Sequence, residues 1–267
     1  MTVHADYSLP SKLNQALIGL LLALGIAGMW LGLHFYSMFV FDLTWSTLLQ
    51  ALVMSALLCW LSVGVFIISH DAMHGTLAPG HPAINERIGA ILIFLYAGFG
   101  WKKMRDAHFA HHKLSGRPGD PDFDEDNPTS FWRWYATFFR RYFGWQSLLW
   151  VHSVVALYWL VFDVPFLQIF VLYGAPALMS SLQLFYFGTY RPHRHNAAAF
   201  EDHHNTRSDH FRTLTSLASC FHFGYHLEHH RRPDVPWWAL PGAKKAGVGL
   251  SAEEREAKGK SSPHELA

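Results

Sequence analysis

Four stretches of this chain of 267 residues contain no Asp, Glu, Lys or Arg: 13–41, 43–69, 144–162 and 164–190. A helix that crosses a bilayer needs about 20 mainly apolar residues, so every window meets or approaches the length of a span. The windows predict spans near 13–33, 48–69, 146–162 and 165–187, the third being the shortest and containing His152. The links from Asp42 to Thr47 and from Asp163 to Pro165 are short, so the four helices pair as two tight hairpins. A further apolar run from Ile88 to Trp101 is too short to span and predicts an interfacial helix near 88–100. The rival reading, four buried helices of a soluble bundle, fails on charge, because soluble core helices rarely run about 25 residues without any.

Charge also sets the orientation. Lys12 precedes the first span, nine Lys/Arg lie between the second and third, eleven follow the fourth, and the hairpin links have none. Basic residues stay on the cytoplasmic side, so both termini and both long polar segments are expected there. Charged residues make up only 15% of the chain, against about 25% in soluble domains. That excludes a disordered chain and a basic nucleic-acid binder. The two cysteines, Cys59 and Cys220, exclude a disulfide scaffold, a Cys-based zinc module and an iron–sulfur cluster. Residues 1–15 do not read as a cleaved signal, since the apolar run after them exceeds an h-region of about 7–15 residues. Residues 243–267 have no aromatic side chain and are read as a mobile C-terminal tail, leaving 1–242 as a single membrane domain.

Histidine is the residue type left to explain. Of 19, sixteen lie outside the spans and the first twelve residues, and eight form three spaced groups. These are His70 and His74; His108, His111 and His112; and His226, His229 and His230. Residues i, i+3 and i+4 share a helix face, so each group turns its imidazoles toward one region. Imidazole is a common ligand for transition metals. Eight exceed the four ligands of one structural zinc and suit two ions of higher coordination number. The groups lack the Glu-x-x-His pattern of carboxylate di-iron bundles and the HExxH of zinc proteases. His222, four residues before His226, is either a ninth ligand or a supporting residue, while His193, His203 and His204 lack such spacing. Metal-bound imidazoles usually give their other N–H to a carboxylate or carbonyl, which makes Asp71, Asp120 and Asp122 candidate orienting groups.

The ordered boxes HxxxH, HxxHH and HxxHH resemble those of the membrane desaturase/hydroxylase superfamily of non-haem di-iron oxygenases. The linking text is more specific. His70-Asp71-Ala72-Met73-His74-Gly75, Gly119-Asp120-Pro121-Asp122-Phe123, Tyr186–Arg194, Cys220–His226 and Pro236–Pro241 resemble the bacterial-type β-carotene ketolases, over roughly residues 15–242. The resemblance implies an all-α integral membrane protein whose four helices carry a cytoplasmic helical cap with a di-iron site. It implies a bacterial inner-membrane location, two Fe ions and O2 as co-substrate. It also implies oxidation of C4 of a β-ionone ring to a ketone by two successive hydroxylations. The boxes alone also fit a carotenoid ring hydroxylase or a fatty-acyl desaturase. A metal transporter, the reading from another class, would place its ligands near the bilayer midplane, whereas these boxes lie at the span ends.

A carotenoid substrate drawn from the bilayer calls for a mostly apolar cleft. Phe99, Trp101, Phe185, Tyr186, Phe187, Trp237 and Trp238 crowd the span boundaries. They are either substrate contacts or the ordinary aromatic belt and core. No Gly-x-Gly-x-x-Gly or His-Pro-Gly-Gly is present, so electrons are expected from a separate ferredoxin. Lys102, Lys103, Arg105, Arg231 and Arg232 would steer this acidic partner or simply anchor the cytoplasmic face.

Overall fold

The computed structural model describes residues 7–195, 199–200 and 202–249. Among them there are helices and connections but no β-strand. The first four helices are α1 (Lys12–Phe39), α2 (Leu48–His74), α3 (Pro82–Ala97) and α4 (Trp101–Leu114). Then come α5 (Phe131–Tyr142), α6 (Trp145–Val161) and α7 (Phe166–His193). The short helices α8 (Thr213–Cys220), α9 (His226–Arg231) and α10 (Leu240–Lys245) close the described chain.

Helices α1, α2 and α7 are long and apolar enough to cross a membrane. The third expected span is not: α6 has 17 residues, about 25 Å of helix against a hydrocarbon core of about 30 Å. The chain turns after it at Asp163, where φ is 53°, ahead of Pro165. Helix α3 begins at Pro82, earlier than the apolar run suggested, because proline is preorganised for a first helical turn. It meets α4 at a bend of 98°.

Helix α2 is the central post. It packs against α1, α3 and α7, and from Leu58 onward it is enclosed on every side, with Leu58, Leu61, Val63, Val65, Ile67 and Ile68 buried. A helix that is hydrophobic all round belongs in such a position. Helix α1 instead leaves Leu13, Leu17, Leu21 and Leu24 exposed along one face. Helix α2 stops at Gly75, in the left-handed region with φ 76°, so His74 is its last residue.

Close backbone approach fixes α1 against the turn after α2. A Cβ at Gly19 would lie 2.3 Å from the Leu77 carbonyl oxygen, whereas one at Gly25 would meet nothing within 4 Å. Gly19→Ala is therefore expected to cost about 1–3 kcal/mol. Gly25→Ala should be neutral or gain up to about 1 kcal/mol from helix propensity. Thermal midpoints of the two full-length variants in one detergent would show whether this order holds.

Three widened π-turns interrupt the helices, at Leu157–Val161 in α6 and at Phe170–Gly174 and Tyr186–Tyr190 in α7. Both turns in α7 end two residues before a proline, Pro176 and Pro192. A helical proline clashes with the carbonyl four residues back, here Leu172 and Gly188, and the wider turn makes room. The second turn carries α7 on to His193.

The packed region passes the boundary expected at 242. Ala243 and Val248 are buried with Val235 and Leu240, and Tyr7 and Leu9 cover them. Small residues suffice there because the N-terminal segment lies directly on top. The rest of the expected tail, 250–267, lies outside the described residues.

Candidate metal centre

The three histidine groups meet. The ring nitrogens of His70, His74, His108, His112 and His229 lie within 4.8 Å of one another, as do those of His111, His193, His226 and His230. The boxes are therefore split between two clusters. Successive residues stand about 100° apart round a helix, so α4 turns His108 and His112 to the first cluster and His111 to the second. Helix α9 turns His229 to the first and His226 with His230 to the second. The clusters adjoin, with the rings of His112 and His230 stacked at 4.3 Å between centroids.

Facing Nε2 atoms are 3.2 Å apart for His70 and His229, 3.0 Å for His112 and His229, 2.7 Å for His74 and His108, and 3.1 Å for His226 and His230. Two ligands at right angles, each about 2.1 Å from an ion, would be about 3.0 Å apart. Burial, then the neighbouring imidazoles, hold the pKa values of His226, His229 and His230 well below the ordinary value. These rings are accordingly neutral, with lone pairs free to bind a cation.

The outward nitrogens of His111 and His193 are held by acceptors, whereas those of His70, His226 and His230 are buried without one. His111 Nδ1 lies 3.0 Å from both oxygens of Asp120, which also accepts the Gly116 and Asp122 N–H groups at 2.8 Å. Burial alone would raise the Asp120 pKa, but the charge and hydrogen bond of His111 and the two backbone donors outweigh it and lower the pKa. His193 gives its Nδ1–H to the Asn205 carbonyl at 2.8 Å. In both residues Nε2 is buried without a hydrogen-bond partner. An orphaned buried nitrogen is costly, and a pair of them facing one cluster is what a metal would satisfy.

Asp122 stands 3.8 Å from His111 Nδ1 and accepts the Tyr142 hydroxyl. Asp71 comes no nearer than 3.6 Å to His70 Nδ1, beyond a hydrogen bond, and accepts the Trp237 N–H at 3.1 Å. It ties the Pro236–Trp237 segment to α2 rather than orienting His70. His222 lies outside both clusters. No helix joins it to His226: Phe221 and His222 have φ of 47° and 64°, α9 starts only at His226, and the His222 ring stacks near Tyr225 and Trp237. His193 takes the remaining place. Its signal in the sequence was position, since it ends an apolar helix as His74 does.

An apolar cavity begins one helical turn from these histidines. Phe66, four residues before His70, and Met104, four before His108, line it with Phe99, Phe138, Tyr142 and Tyr173. Of the seven boundary aromatics offered as substrate contacts or as belt and core, only Phe99 lines this cavity. Trp101 fills the space beside Gly89, and Phe185 is sealed in a cluster with Phe123 and Trp134. Tyr186 lies under Arg191, and Phe187 lines a separate polar cleft. Trp237 and Trp238 pack on the main core. The overlooked wall is the end of α5, where Phe138, Phe139 and Tyr142 line the cavity.

The fold thus combines helices long and apolar enough to cross a membrane with two all-imidazole clusters that could each hold a metal ion. The chain belongs to the fatty acid desaturase family, whose model matches residues 43–162 and 140–250. It is 43% identical over 248 residues to a beta-carotene ketolase of Paracoccus sp. (strain N81106 / MBIC 01143), covering 92% of this chain and 99% of that protein. A beta-carotene ketolase of Paracoccus sp. (strain PC1) is 41% identical over 239 residues, 89% of this chain and 97% of the relative. One of Haematococcus lacustris is 36% identical over 219 residues, 77% of this chain and 66% of the relative.

Proposed function

We propose that this chain is a membrane-embedded β-carotene ketolase that uses O2 to oxidise C4 of a β-ionone ring by two successive hydroxylations, the second giving a geminal diol that loses water. Two adjoining imidazole clusters at the end of an apolar cavity are the observation that carries this reading. His70, His74, His108, His112 and His229 would hold one iron, and His111, His193, His226 and His230 the other. Bound iron would supply the activation of O2 that replaces hydrogen on an allylic carbon. The chain's own groups do the rest. Asp120 and the Asn205 carbonyl fix the rings of His111 and His193. The walls from Phe66, Phe99, Met104 and Phe138 exclude water and hold a greasy ring beside the clusters. No side-chain nucleophile is required.

In this reading α1, α2, α6 and α7 are the four spans, in two hairpins, with the termini and histidines on the cytoplasmic side. A short α6 is compatible with local thinning of the bilayer. The substrate enters from the lipid, and a ferredoxin supplies electrons at the polar face. Arg231 and Arg232 are engaged with Asp202 and Asp234. Lys102 is paired likewise with Asp106, which leaves Lys103 and Arg105 on α4 as the candidates for steering the donor.

Expression in a β-carotene-producing host tests the activity. The expected product has a ketone in place of a ring methylene and absorbs at longer wavelength, because the carbonyl extends the conjugation. A hydroxylated product with unchanged absorption would assign the chain to ring hydroxylation instead. Anaerobic purification is expected to yield two irons per chain, one for each cluster. A single zinc and no iron would defeat the oxygenase reading.

A further inference from the structure

The far end of the cavity holds a hydroxyl without an assigned partner. Of the polar side chains on its wall, Tyr96 bonds Ser180 at 3.0 Å, Ser181 accepts from Tyr135 at 3.2 Å and Tyr142 donates to Asp122. Tyr173 also lines the cavity, yet its hydroxyl makes no hydrogen bond among the described residues. Tyr173 is only partly buried, so a polar group in the cavity can reach its hydroxyl.

The ring of Tyr173 is firmly held. It packs edge-on against His34 at 5.6 Å and Tyr158 at 6.2 Å between centroids. Those two satisfy each other, His34 Nε2 lying 2.6 Å from the Tyr158 hydroxyl. Tyr158 and Tyr173 both sit in π-turns, a feature frequent at functional sites. Tyr173 precedes His193 by twenty residues on α7, about 30 Å along the helix. A carotenoid is a stiff rod with a ring at each end, comparable in length to the bilayer core of about 30 Å. One ring beside the histidines therefore puts the other near Tyr173.

We propose that the Tyr173 hydroxyl pairs with an oxygen on the distant ring, so that the cavity favours a carotenoid already oxygenated at one end. This rests on the ketolase reading of the cavity. The ligand chemistry is a ring ketone or a ring hydroxyl, either of which can accept the phenolic hydrogen. The mono-ketone made by the first ketolation is such a molecule, and turned end for end it becomes the substrate of the second.

The test uses membranes containing the full-length protein, supplied in parallel with β-carotene, its mono-ketone and its mono-3-hydroxy derivative. Tyr173→Phe removes one oxygen and keeps the ring. The kcat/KM ratio of the oxygenated substrate to β-carotene should fall about two- to tenfold, the worth of one hydrogen bond, mainly through KM. A fall for the mono-ketone alone would identify the ketone as the group received, and a fall for the hydroxy compound alone the hydroxyl. Unchanged ratios for both would overturn the proposal, whatever happens to absolute rates. Failure of the wild-type protein to make any ketone would strike the ketolase reading instead.

Discussion

His193→Ala is expected to reduce ketone formation more than about 100-fold, beyond the range typical of losing a group that only supports a ligand. The second cluster would keep three imidazoles, and His111 Nε2 would lose the neighbour that faces it. Iron per chain should fall toward one while helix content stays at the wild-type level. His222→Ala is the contrast. That ring lies outside both clusters, so the variant should keep its iron and its product, losing about 1–3 kcal/mol of stability from altered packing. Metal analysis and product yield on the two variants decide the matter: iron loss in His222→Ala with retention in His193→Ala would reverse the assignment.

Asp120→Ala should have the second largest effect. This carboxylate holds His111 and two backbone N–H groups from a buried position. Without it His111 can rotate and the Gly116–Asp122 turn loses its anchor. A loss of about 10–100-fold in metal affinity or activity is expected. Asp120→Asn should recover part of the loss, since its amide oxygen can still accept from His111. Iron titration of the apo-protein would measure both variants, and affinity equal to wild type in Asp120→Ala would remove the orienting role. Asp71→Ala should act through a different route, loosening the Trp237 segment.

Much of this was legible because charge and histidine are so unevenly placed. The windows without charge located α1, α2, α6 and α7, since lipid and buried contacts impose the same demand on every residue of a long helix. They also set the short third span at 146–162, within a residue of α6 at either end, but they could not find the first turn of α3, where residues 82–87 are mostly not apolar. The histidine boxes were plain from spacing, but treating i, i+3 and i+4 as one face concealed the angle between His111 and His112. His222 misled because periodicity assumes a continuous helix, and the chain reverses at Phe221 instead. The aromatic residues were the least informative. A ring at a boundary has the same composition whether it meets lipid, core or ligand, and only packing separates Phe99 from Phe185.

The enclosure of α2 leaves the protein little tolerance for a change of phase. One alanine inserted between Leu61 and Ser69 would swing His70 and His74 through about 100° and displace them by about 1.5 Å, with no slack loop to absorb the error. Helix α7 is under the same restriction through His193. Refitting such a scaffold to a thicker bilayer would therefore have to add residues ahead of Leu48 and Phe166, at the ends remote from the histidines, while the stretches leading to the histidine-bearing ends keep a fixed count.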